Sequence, residues 1–118
     1  MIRPSELRIG NWVNYNGYYR QIVSLNLGTE VNADPIPLSE EILLKSGFSK
    51  CDSKFLDKPQ ILTIQISNNE TLDYEDGEFF IANSGSHRVV TFWKSPKYLH
   101  ELQNLFHSMT GNELKFNG

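Results

Sequence analysis

The sequence predicts an α+β fold: an N-terminal β-hairpin, a short helix, an antiparallel β-meander and a C-terminal amphipathic helix packed on the sheet. Asn16-Gly17 and Asp76-Gly77 are dipeptides preferred in two-residue hairpin turns, and alternating residues flank them. The third observation is an apolar stripe at helical spacing near the C-terminus. A chain of 118 residues with 39% hydrophobic composition is expected to form one compact domain over residues 1–118.

Residues 7–25 predict the N-terminal hairpin. A two-residue loop at Asn16-Gly17 places Tyr15 opposite Tyr18 and Val13 opposite Arg20. The other face then carries Trp12, Tyr19 and Val23.

After a loop over residues 26–37, residues 38–47 predict a short helix. Ser39 is the expected N-cap, and Glu40 and Glu41 follow where the helix dipole favours negative charge. Gly47 is the expected stop, with Phe48 folding back onto the helix.

The middle of the chain predicts an antiparallel meander of about four strands. Residues 49–60 are polar and are expected to be irregular. Alternation and turn residues then place strands at 61–67, around 72–74, at 79–83 and at 87–94.

The last helix is expected to open at Ser95 and Pro96 and to end at Gly111. Its apolar stripe consists of Leu99, Leu102, Leu105, Phe106 and Met109. Core packing is the simpler use of this stripe. The alternative is a homo-oligomer interface through Leu105, Phe106 and Met109. Residues 113–116 are expected to add a short closing strand.

Composition excludes several classes of function. The net charge of −3 lacks the basic excess that generic nucleic-acid binding requires. Cys51 is the only cysteine, which favours a reducing cytoplasm. The N-terminus lacks the apolar core of a signal peptide, and no apolar run approaches the roughly 20 residues that span a bilayer, so we expect a soluble protein without membrane contact.

No residue pattern predicts catalysis, a cofactor or a metal site. His100 and His107 share a helix face, but a metal site needs a third ligand, for which His87 is distant in sequence. Solvated or capping histidines are therefore expected. Cys51 lacks the histidine neighbour of a nucleophile, and the acids at 73–78 are expected to form a solvated hairpin tip.

Aromatic and cationic residues offer the strongest binding signal. Trp12, Tyr15, Tyr18, Tyr19 and Arg20 form the densest patch, and such side chains stack on bases and pair with phosphates. We expect core packing for most of this set, with ligand binding on an exposed face as the alternative.

Two further stretches carry weaker binding signals. Residues 84–88 could hold a phosphate, although a plain hairpin turn is favoured. Lys94 follows Trp93 beside the last helix. The ligand-binding candidates are Trp12, Tyr19, Arg20, His87, Arg88 and Lys94.

Three stretches of the chain form a recognisable set: LRIGN at residues 7–11, PIPLSEE and LLKSGF at 35–41 and 43–48, and YLHELQNLFHSMTGNEL at 98–114. Together they resemble a family of small proteins encoded by phages and prophages of Bacteroidetes-type bacteria. The resemblance implies a phage or prophage origin, with the cytoplasm of a bacterial host cell as the location, and brings no catalytic residue. Within the third stretch, Gln103 and Asn104 are amides on a largely apolar helix, where buried hydrogen bonds are common.

These observations predict a non-enzymatic phage or prophage accessory protein that acts by binding. The leading hypothesis is that it sequesters a small phosphorylated host ligand, such as an immune nucleotide signal, in counter-defence. The alternative is a protein–protein interaction or structural module, with a host protein as partner and no small ligand.

Overall fold

The computed structural model describes residues 7–22, 33–51, 61–83, 88–91 and 94–117, and for residues 51 and 88–91 it describes the backbone alone. The strands and helices are β1 (Trp12–Tyr15), β2 (Tyr18–Gln21), α1 (Glu40–Lys45), β3 (Ser49–Cys51), β4 (Ile61–Gln65), β5 (Glu70–Glu75), β6 (Glu78–Asn83), β7 (Arg88–Thr91) and α2 (Leu99–Thr110). The predicted α+β class is confirmed.

The hairpin of β1 and β2 has the predicted register. Asn16 and Gly17 both have positive φ, 51° and 87°, which a tight type I′ turn requires. Tyr15 therefore pairs with Tyr18 and Val13 pairs with Arg20. Val23, expected beside Trp12, lies outside the described residues.

Helix α1 forms for the predicted reasons. The Ser39 hydroxyl accepts a hydrogen bond from the Ile42 N–H at 3.3 Å, and Gly47 leaves the helix with a φ of 94°. The Phe48 N–H then donates to the Leu43 carbonyl at 3.1 Å. The expected cap, stop and fold-back are all confirmed.

The predicted meander is confirmed and is longer by one strand. Among the described residues, the order β3-β4-β5-β6-β7 is antiparallel throughout. Strand β3 lies where we expected irregular chain, so that expectation is wrong for Ser49–Cys51. These polar residues carry no alternating pattern; Ser49 pairs with Thr63 because β4 offers its backbone edge.

Helix α2 begins at Leu99, three residues later than a cap at Ser95 would place its start. The Glu101 carboxylate, in the first turn of the helix, accepts hydrogen bonds from the N–H groups of Lys97 and Tyr98, at 3.0 and 3.2 Å. It thereby acts as the N3 carboxylate of a capping box. The Ser95 hydroxyl instead accepts from the Phe79 N–H at 3.0 Å and ties the segment to the sheet. The stop at Gly111 is confirmed, with a φ of 73°.

The main core lies between the sheet and the helices. Its buried members are Leu43, Phe48, Leu62, Leu72, Phe79, Leu102, Phe106 and Leu114. A second cluster joins the helices to the C-terminal segment and consists of Ile36, Ile42, Leu99 and Phe116, with Trp12 half-buried against it. Residues 113–116 form no strand, contrary to expectation, because Leu114 and Phe116 are held by core packing.

Candidate functional site

The N-terminal hairpin is the candidate site, and polar contacts to α2 fix its base. Gln103 is 1% exposed; its Oε1 accepts from the Trp12 N–H at 2.8 Å and its Nε2 donates to the Gly10 carbonyl at 3.1 Å. Asn104 Oδ1 accepts from Arg8 Nε at 2.8 Å and from Asn11 Nδ2 at 3.1 Å. Both amides make the expected hydrogen bonds; Gln103 is buried and Asn104 is half-buried.

Arg8 extends these contacts to the end of the chain. Its guanidinium donates to Glu113 Oε1 at 2.5 Å and to the Gln103 carbonyl at 3.2 Å. We call Arg8, Asn11, Gln103, Asn104 and Glu113 the Arg8 anchor. Arg8 and Glu113 were not among our candidate residues, although both lie within the stretches that carry the family resemblance.

The electrostatics of the Arg8 anchor are those of a stabilising ion pair. The hydrogen bond from Arg8 holds the pKa of the Glu113 carboxyl below its ordinary value; burial opposes this effect, and the positive charge of Arg8 adds to it. Because the Arg8 guanidinium already serves Glu113, Asn104 and Gln103, it is a positioning group for the hairpin and not a ligand-binding cation.

One face of the hairpin packs on the C-terminal segment. Because side chains alternate along a strand, Trp12 and Tyr19 share this face. Their ring centroids lie 5.1 and 5.9 Å from that of Phe116. A groove of about 250 Å³ beside them is lined by Trp12, Gln21 and residues 113–117.

The opposite face of the hairpin is open to solvent at its turn end. There it carries Tyr15, Tyr18 and Arg20, and the two tyrosines are 47% and 69% exposed. Core packing of most of the aromatic patch is therefore wrong: all four residues of β2 are exposed. Val13 lies on the same face, directly opposite Arg20, but is 3% exposed because it packs with Leu7 at the base of the hairpin.

The structure does not bring the predicted ligand-binding residues together on one surface of the hairpin. Arg20 points away from the face that Trp12 and Tyr19 share. Lys94 is exposed and borders a separate cavity of about 220 Å³ with Pro96 and Leu105. Arg88 lies in β7, where the backbone alone is described, and His87 lies outside the described residues.

The candidate interface on α2 is largely used by the core. Phe106 is 8% exposed and belongs to the main core, and Met109 is half-buried against it. Leu105 is half-buried and borders the cavity beside Lys94.

The two helical histidines differ in environment. His107 is exposed, as expected, but His100 is 2% exposed, so the expectation of a solvated His100 is wrong. Its ring stacks on that of Tyr98 with centroids 6.1 Å apart, because position 100 falls on the side of α2 that faces the protein. In the described part of the chain, no three His, Cys, Asp or Glu side chains are grouped so as to hold a metal ion.

Neither helix in the described ranges combines the length and apolar character needed to cross a membrane.

No family model matches the chain, and neither a curated protein nor a solved structure is significantly similar to it.

Proposed function

We propose that this chain is a non-enzymatic accessory protein of phage or prophage origin that binds a host protein through the open face of its N-terminal hairpin. We call Tyr15, Tyr18 and Arg20 the hairpin patch. The observation that carries the proposal is the exposure of the two tyrosines, at 47% and 69%, on a hairpin whose base is fixed.

The composition of the hairpin patch suits a protein partner. Tyrosine and arginine are enriched where binding energy concentrates in protein interfaces, because both present large contact area with a polar group at the tip. The Arg8 anchor holds the hairpin before binding, so little conformational entropy is lost when a partner docks. Among the described residues, Arg20 takes part in no ion pair and so its charge is available to a partner.

Partner capture tests this proposal. The wild-type chain, a Tyr15→Ala/Tyr18→Ala variant and a Leu44→Ala variant are used as bait in an infected Bacteroidetes-type host, with quantitative mass spectrometry. Leu44 is 40% exposed on α1, away from the hairpin, and supplies the matched control. We expect one host protein to be retained by wild type and by the control, and to fall about tenfold or more with the double variant. Equal recovery on all three baits contradicts the proposal.

A small phosphorylated ligand is the second candidate. The observation in its favour is a cavity of about 440 Å³ lined by Asn14, Gly17, Tyr18 and Tyr19, with exposed Arg20 on the same hairpin face as Tyr18. Aromatic rings and a guanidinium together suit a nucleotide. Native mass spectrometry of gently purified protein distinguishes the candidates: an added mass of a few hundred daltons that Arg20→Ala removes supports the ligand, and a bare protein mass argues against it.

A further inference from the structure

The register of the hairpin determines which backbone groups of β2 face outward. The Ile22 N–H donates to the Asn11 carbonyl at 2.8 Å, so that pair is hydrogen-bonded across the hairpin. Hydrogen-bonded and non-hydrogen-bonded pairs alternate in an antiparallel ladder. The Trp12–Gln21 and Asn14–Tyr19 pairs are therefore the non-hydrogen-bonded ones, and their N–H and C=O groups point away from the partner strand.

The two edges of the hairpin differ in the hydrogen bonding of their outward backbone groups. On the β1 edge, the Trp12 N–H is satisfied by Gln103 at 2.8 Å, and Asn14 exchanges two backbone hydrogen bonds with Asp34 at 2.8 and 2.9 Å. On the β2 edge, no hydrogen bond from another described residue reaches the backbone of Tyr19 or Gln21. Such an edge is a template for an additional strand.

The hairpin itself carries a single charge. Arg20 is the only charged residue between Trp12 and Gln21, in a chain whose net charge is −3. The groove beside Gln21 is also lined by Glu113, which pairs with Arg8, and by Lys115. A strand added to β2 would place one of its side chains directly opposite Arg20, about 4.5–5.5 Å away between Cβ atoms. The same face of the added strand would meet Tyr18 two positions along.

From this edge and its charge we infer that β2 docks an extended acidic peptide segment, which joins the hairpin as an additional strand. The segment places a carboxylate opposite Arg20, and its backbone pairs with Tyr19 and Gln21. This inference rests on the proposed function and specifies how the partner binds.

Two synthetic peptides of about eight residues test the inference, one alternating Val with Glu and one alternating Val with Lys. Each is titrated into the full chain while amide hydrogen exchange is followed by NMR. We expect the Val-Glu peptide to slow exchange at Tyr19 and Gln21 and to bind about fivefold more tightly than the Val-Lys peptide. The net negative charge of the protein favours the Lys peptide, so a preference for Glu reports the local effect of Arg20.

Charge reversal supplies the internal control. Arg20 is exposed, so Arg20→Glu and Arg20→Gln should leave the fold intact. We expect Arg20→Glu to reverse the peptide preference and Arg20→Gln to abolish it. The inference is overturned if neither peptide binds, if both bind equally, or if Tyr19 and Gln21 are already protected in the free protein, whether by its own chain or by a second copy.

The outcomes also separate this inference from the proposed function. If Tyr15→Ala/Tyr18→Ala loses the host partner while neither peptide protects Tyr19 and Gln21, the hairpin is the binding site but strand addition is wrong. If the peptides bind as expected and the double variant retains the host partner, β2 accepts strands but the hairpin patch is not the site of that partner.

Discussion

Two neighbouring amides on α2 connect that helix to the base of the hairpin. Gln103 and Asn104 make four hydrogen bonds of 2.8–3.1 Å to backbone and side-chain groups of residues 8–12. A buried polar group left unsatisfied costs more than a hydrogen bond contributes. The two amides therefore specify one position of the hairpin base and disfavour others.

Replacing Gln103 with alanine should destabilise the protein by about 2–3 kcal/mol, because the Trp12 N–H and the Gly10 carbonyl lose their partner and a small cavity forms. Urea denaturation measures the change. Gln65→Ala is the matched control, since Gln65 is exposed and donates only to the Ser67 carbonyl at 3.0 Å; its effect should stay within about 0.5 kcal/mol. Equal effects of both substitutions would contradict the importance of Gln103.

Acid should weaken the Arg8–Glu113 ion pair. Arg8 lowers the pKa of Glu113 in the folded state, so the carboxylate stabilises the fold above its unfolded pKa of about 4.3, and this contribution disappears as the pH falls through the lower folded value. The difference in unfolding free energy between wild type and Glu113→Gln should therefore be constant near neutral pH and shrink below about pH 4. Urea midpoints across pH measure it, and an NMR titration of Glu113 at its ordinary pKa would refute it.

The residues that begin and end an element contribute more to its stability here than its intrinsic helix or strand propensity. Helix α1 has only six residues, so its cap, its glycine stop and its packing must compensate for poor intrinsic stability. The Glu41–Lys45 pair at 3.3 Å and the Glu40–Lys50 pair at 3.1 Å are exposed and add little. The Ser39 cap is the contribution that a single substitution can isolate.

Ser39→Ala should cost about 1 kcal/mol, because the Ile42 N–H loses its hydrogen-bond acceptor at 3.3 Å. Thermal or urea unfolding measures the loss. Ser108→Ala is the matched control: Ser108 is exposed within α2, where alanine is the better helix former, so its effect should be neutral or slightly stabilising. A destabilisation by Ser108→Ala as large as that by Ser39→Ala would argue against the cap.

The described parts of the molecule consist of a sheet-and-helix body and a hairpin attached through three contacts. The first contact is the Arg8 anchor, and the second is Phe116, which packs against Trp12 and Tyr19. The third is the pair of backbone hydrogen bonds between Asn14 and Asp34. Helix α2 joins the two parts, because Leu102 and Phe106 lie in the main core and Leu99 lies with Phe116. A binding hairpin attached in this way can open locally without unfolding the sheet.

Phe116→Ala should therefore loosen the hairpin before the sheet. The ring is 5% exposed, and its removal should cost about 3 kcal/mol or more. We expect native-state hydrogen exchange to accelerate at β1 and β2 more than at β5 and β6, and the fluorescence of Trp12 to change. Leu72→Ala, in the middle of the sheet core, is the comparison and should accelerate exchange throughout; a uniform response to Phe116→Ala would show that the hairpin is not a separate unit.

Local chemistry determined most elements of this protein from the sequence alone. Positive φ at Asn16-Gly17, the Ser39 cap and the Gly47 and Gly111 stops depend on neighbours in the chain, so the turns and helix ends they predict are present. The pairing of Tyr15 with Tyr18 follows from the loop length in the same way. The binding candidates of the hairpin were visible for the same reason, as aromatic and cationic residues beside a turn.

Contacts between distant residues decided what the sequence could not. Strand β3 exists because β4 offers an edge, Glu101 and not Ser95 caps α2, and Phe116 is held by packing without a strand. Arg8 became an anchor because Asn104 and Glu113 lie 96 and 105 residues away in the chain and meet it in space. The covered parts of the hairpin were likewise a tertiary outcome: the alternation of a strand defines two faces, and packing with distant residues buries Val13 on one face and half-buries Trp12 on the other.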